Sequence, residues 1–264
     1  DASCHLSTDG FITNDQSIQC FSSWMAEVES IGIIKQAQWE DTSGANTISH
    51  ADVLFYNTGW DSIIVHNALS RTYESPISIK EEINSVAVSL VDFEFNEADK
   101  QLYLLYSDSS LEAYNVQTKV VQTLGNYLIA GSLSRTLKLV NSNKLIIESG
   151  NTLSQFSYTL LDSSGASLAV LEDKGLDLND SVVVCFNINA DCDESASIYG
   201  FIKGSAGINT NIGRLDINTV TNTFTTDIEI SSPLAVDEVL QGPIKASQSS
   251  DFIQLGSGQI FNLS

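Results

Sequence analysis

The stretch Asn187 to Glu194 (NINADCDE) alternates Asn187, Asn189, Asp191 and Asp193, with Glu194 following. Side-chain oxygens spaced this way on a looped backbone are how a hard cation such as calcium is wrapped, because the ion replaces its hydration shell with many oxygens. The loop departs from an EF-hand in two places. Cys192 stands where the sharp-turn glycine belongs, and Ile198 where the bidentate glutamate belongs. Calcium held by Asn187, Asn189, Asp191 and Asp193 is one expectation; a solvated acidic hairpin tip stapled by a disulfide is the other. No further cofactor is called for.

The four cysteines fall as two close pairs, Cys4 with Cys20 and Cys185 with Cys192. Pairing within each pair closes the two shortest loops, which hairpin neighbours in a β protein satisfy geometrically. There is no C-x-x-C, and His5 is the one imidazole beside Cys4, so the spacing does not suit zinc. Disulfides are expected, with buried free thiols as the alternative. Disulfides imply a secreted, cell-surface or periplasmic setting.

Two carboxylate pairs sit at strand spacing on one face, Asp92 with Glu94 (VDFEFNEAD) and Asp227 with Glu229 (TTDIEI). Acid pairs brought across a cleft carry out glycoside hydrolysis. With 33 acidic residues in the chain such pairs also arise by chance, and no catalytic residue is assigned. His5, His50 and His66 lie in unrelated settings, and no G-x-S-x-G elbow, H-E-x-x-H pair or glycine-rich phosphate loop occurs. Trp39, Trp60, Tyr56 and Tyr73 fall at or near hairpins, where flat rings stack on sugars or anchor a protein partner, or else pack into the core.

The elements that would position these residues are strands. Helical periodicity is nearly absent, the best stretch being Ser22 to Ser30. Six segments read as two strands joined by a turn rich in Gly, Ser, Asn and Asp, starting at Gly10, Asp52, Gln101, Lys144, Ser197 and Asp251, at spacings of 42 to 54 residues. Between them lie further strands: KVVQTL from Lys119, TLKLV from Thr136, SLAVL from Ser167, SVVVCFN from Ser181 and TFTTDIEI from Thr223. A repeat of this length suits four strands and their turns.

In this pattern, most clearly in QLYLLYSDSSLEAYNVQTKVVQTL from Gln101, the chain resembles the β-propeller superfamily. The resemblance implies an all-β fold of six four-stranded blades in one domain over residues 1–264, or in part of a longer polypeptide. Closure would require residues near Ala2 to Thr8 to supply a strand. The alternative is one or two β-sandwich domains. The resemblance lies in pattern and not signature: Trp60-Asp61 falls in a hairpin turn, and no Asp box occurs. No family function is therefore carried over.

Composition bounds the partners. The 264 residues are 42% apolar with a formal net charge of -21, so the chain is globular and repels phosphate backbones and anionic lipid. No apolar run reaches the ~20 residues of a membrane helix, and the first residues are polar, so neither membrane insertion nor a retained signal peptide is expected. The expected function is an extracellular or cell-surface binding or scaffolding module facing a protein or glycan; the alternative is a polysaccharide hydrolase or lyase using funnel carboxylates.

Overall fold

The computed structural model describes residues 31–83, 86–127, 132–152, 155–174, 176–185, 194–203, 209–230, 240–247 and 252–263. Every described element is a strand. The first sheet holds β1 (Ile31–Asp41), β2 (Ile48–Asn57), β3 (Ser62–Asn67) and β4 (Thr72–Tyr73) in that order, with β5 (Ile77–Ser78) on β3. A short pair follows, β6 (Glu82–Ile83) with β7 (Val86–Ala87). The second sheet runs β8 (Leu90–Asn96), β9 (Gln101–Tyr106), β10 (Ser110–Asn115) and β11 (Val121–Asn126); the third β12 (Leu133–Asn141), β13 (Lys144–Thr152), β14 (Gln155–Asp162) and β15 (Ser167–Lys174). The fourth is β16 (Leu176–Cys185), β17 (Ser195–Lys203), β18 (Asn209–Asn218) and β19 (Thr223–Ile230), and the last β20 (Ile244–Ala246), β21 (Phe252–Leu255) and β22 (Ile260–Asn262).

Each sheet pairs strands in chain order, the arrangement of β-propeller blades, and the fold is a β-propeller. Among the described residues the blades number five, against the six expected of the whole chain. The hairpin expected from Gly10, the helical stretch Ser22 to Ser30 and the strand needed near Ala2 for closure lie outside the described residues. The other five hairpins are β2–β3, β9–β10, β13–β14, β17–β18 and β21–β22.

The chain divides into two compact units, residues 1–103 with 113–121 and residues 104–112 with 122–264. In the first, β1 packs against β8, so the first strands of successive blades meet. In the second, β12 meets β16 and β16 meets β20 in the same way. A lone sheet cannot bury both faces, and stacking blade on blade does so. Ile146, Phe156, Tyr158 and Leu160 of the third blade form one core with Leu176, Ala196, Ile198 and Leu215 of the fourth. Val184, Tyr199, Phe201 and Ile212 on the other face of the fourth pack with Ile244, Ile253 and Leu255 of the fifth.

One turn recurs. Asn57, Asn67, Asn96, Asn115 and Asn218 each accept, through Oδ1, one or two backbone N–H groups just ahead in the turn. Four residues after each, Asp61, Arg71, Lys100, Lys119 and Asn222 adopt positive φ. The asparagine side chain stands in for a missing ladder partner, and the left-handed residue turns the chain back into register. One of these asparagines, Asn67, belongs to the site described next.

Candidate functional site

Three strands of the first blade and the residue after β4 converge on one cluster of side chains. His50 and Asp52 lie two residues apart on β2 and so share a face of the sheet. Trp39 on β1 pairs with His50, and Asn67 on β3 pairs with Asp52. Glu74 follows β4, its backbone N–H donating to the carbonyl of Val65.

The Trp39 and His50 rings stack at 4.0 Å and 12°, and Trp39 Nε1–H donates to Asp52 Oδ2 at 2.8 Å. His50 Nδ1 lies 3.2 Å from Glu74 Oε1 and 3.8 Å from Asp52 Oδ1. Asn67 Nδ2 approaches the same Nδ1 at 3.1 Å, and Lys119 Nζ is 3.8 Å from Glu74 Oε2. Asp52 is buried, and its Oδ1 has no hydrogen-bond partner. Burial raises the Asp52 pKa, the Trp39 bond opposes that, and the charge of Glu74 adds to it. Among the described residues, His50, Asp52 and Glu74 are the group of histidine and carboxylate side chains that can hold a metal ion.

The acid pair Asp92 and Glu94 is engaged elsewhere. Lys35 on β1 reaches Glu94 at 2.7 Å and Asp92 at 3.5 Å, locking β1 to β8. Burial lowers the Lys35 pKa and the two carboxylates raise it by more, so the ammonium is held charged. Asp227 and Glu229 lie on β19.

The four aromatic candidates separate. Trp39 and Tyr56 are buried and do not offer an open ring; the Tyr56 hydroxyl donates to Asp61 at 3.1 Å, and burial with that bond pushes its pKa up to about 12. Trp60 and Tyr73 are exposed. They sit at opposite ends of β3, Trp60 in the β2–β3 turn and Tyr73 paired with His66, whose ring it meets edge-on at 4.9 Å. The calcium loop residues Asn187, Asn189, Asp191 and Asp193, and Cys4, Cys20 and Cys192, lie outside the described residues; Cys185, at the end of β16, is not a free thiol.

The cluster around His50 went unread in the sequence because its members come from separate strands. The signal available was His50-x-Asp52, two metal-ligating types on one face of a strand, opposite a tryptophan.

No family model matches this chain, and no curated protein matches it. Among solved structures it is similar to the hydrazine synthase of Kuenenia stuttgartiensis, at 11% identity and a TM-score of 0.52, over 83% of this chain. The match spans 60% of the length of that structure's chain. A likeness at this identity speaks for the fold alone.

Proposed function

We propose that the chain is a binding or scaffolding module that presents propeller loops to a protein or glycan in an oxidising, extracytoplasmic setting. The observation that carries this reading is the exposed indole of Trp60 on a rigid turn. Its backbone N–H is held by both the side-chain and main-chain oxygens of Asn57, at 3.2 and 3.3 Å. A large flat ring on a pre-ordered turn binds at little entropic cost. The paired cysteines of the sequence support the oxidising setting. The net charge of -21 argues against nucleic acid as the partner.

The ion pairs of Lys35 also favour binding over catalysis. A carboxylate pair neutralised by a half-buried ammonium ties two blades together and is poorly placed to donate or accept a proton. Incubating the purified protein with a panel of polysaccharides, and measuring both retention and chain length, tests this. Retention without shortening is expected. Chain shortening that disappears in Asp92→Asn or Glu94→Gln would replace the binding reading with a hydrolase or lyase.

A further inference from the structure

We propose that His50, Asp52 and Glu74 form a binding site for a divalent transition-metal ion such as zinc, oriented by Trp39. This is independent of the binding role given to Trp60 and of the calcium expectation on the loop from Asn187. Three facts of geometry lead to it.

The first is the state of the imidazole. Asn67 Oδ1 accepts the backbone N–H groups of Leu69 at 2.9 Å and Ser70 at 3.0 Å, which fixes the amide so that its NH2 faces His50 Nδ1. With the ring proton on Nε2, Nδ1 presents its one lone pair to the Asn67 amide, and an ion bound at Nδ1 takes that lone pair over from the N–H. Glu74 Oε1 at 3.2 Å and Asp52 Oδ1 at 3.8 Å lie beside the same nitrogen, so a cation there meets one nitrogen and two carboxylate oxygens together.

The second is Asp52 Oδ1, buried and without a hydrogen-bond partner, 3.8 Å from Nδ1. A buried carboxylate oxygen left unsatisfied is costly and calls for an explanation. An ion bonded to it supplies one.

The third is spacing. The three ligand atoms lie within 4.8 Å of one another, and Nδ1 to Glu74 Oε1 is 3.2 Å. Ligand atoms around a tetrahedral zinc stand about 3.3 Å apart. Shifts of under about an ångström in Asp52 and Glu74 therefore complete three corners of a tetrahedron. The half-exposed side of Glu74 leaves the fourth open to water. Trp39 Nε1–H on Asp52 Oδ2 holds the carboxylate as outer-shell donors do in metal sites. A nitrogen ligand with two carboxylates favours zinc or a neighbouring transition ion over calcium, which takes oxygen alone.

The test titrates the metal-stripped protein with zinc by calorimetry while following tryptophan fluorescence and the His50 ring nitrogen signals. One tight equivalent is expected, shifting the Nδ1 signal and changing the fluorescence of the stacked Trp39. His50→Gln, Asp52→Asn and Glu74→Gln should each weaken that equivalent at least about tenfold. Glu74 is part-exposed, so Glu74→Gln should fold normally, which far-ultraviolet circular dichroism checks. A millimolar excess of calcium should not displace the zinc. No tight equivalent, or zinc affinity unchanged in Glu74→Gln and His50→Gln, would overturn the proposal, since scattered surface carboxylates would then account for any uptake.

Discussion

Raising the pH from about 5 to about 9 is expected to remove on the order of 3–5 kcal/mol of stability through one residue, Glu148. Glu148 lies on β13, fully buried, with the backbone N–H of Leu178 donating to Oε2. Its pKa is pushed up to about 8, first by burial and further by the charge of Asp177, against the opposing Leu178 N–H and the Arg135 guanidinium. In the unfolded chain the carboxyl titrates near the ordinary 4.5. Between these values the native state holds a proton that the unfolded state has lost. The contribution is complete below the unfolded value and fades as pH rises through the native one. Glu148→Gln keeps an oxygen for Leu178 N–H and cannot ionise. Urea denaturation across this pH range should show the variant losing less stability than the parent by that amount. Parallel curves would assign the pH dependence to other groups.

Gly200→Ala is expected to cost about 3 kcal/mol or more, at or beyond the upper end of what overpacking costs. Between β16 and β17 the register skips from Asp177 to Val182, so the chain bulges opposite Gly200. A Cβ built on Gly200 would stand 2.5 Å from the carbonyl oxygen of Asp177, a backbone atom that cannot swing aside. Glycine inside a strand beside a bulge marks just such an approach. Its partner across the β17–β18 pair, Gly213, would meet the tip of Leu176 at 2.7 Å. That tip can shift, so Gly213→Ala should cost nearer about 1 kcal/mol. Equal losses in chemical denaturation would contradict the difference between a backbone and a side-chain obstacle.

Most of the fold was legible because strands announce themselves by alternation and by turn residues. The segments QLYLLY, KLIIES and TFTTDIEI became β9, β13 and β19, and KVVQTL became β11 with a shift of two residues at its start. Leu102, Leu104, Leu145 and Ile147, apolar positions of two of these hairpins, are buried. In the hairpin from Asp251, two adjacent apolar residues read alike in the sequence, yet Phe252 is exposed beside fully buried Ile253. Adjacent residues on a strand point to opposite faces, so both could not share one core in a blade with an open side. SVVVCFN reached back to Leu176 because the bulge after Asp177 hides the alternation there.

The site was less legible for a physical reason. His50-x-Asp52 is a local pattern, but Glu74 joins it only after two hairpin turns, each set by an asparagine whose role depends on the residue four positions later. The recurrence of Asn57, Asn67, Asn96, Asn115 and Asn218 with their left-handed partners is a repeat in turn chemistry, not in hydrophobicity, and a search by alternation passes over it. Trp39 illustrates the same limit. Its place near a hairpin left a binding ring and a core ring both open, and its bond to Asp52 goes with burial in the core.

The most direct measurement of the binding role is an array of glycans and extracellular proteins probed with the intact chain and with Trp60→Ala. The expected result is at least one ligand retained unaltered by the parent and weakened by about 2 kcal/mol, roughly thirtyfold, in Trp60→Ala, with unchanged thermal stability. A ligand bound equally well without the Trp60 ring, or one that the protein cleaves, would contradict it.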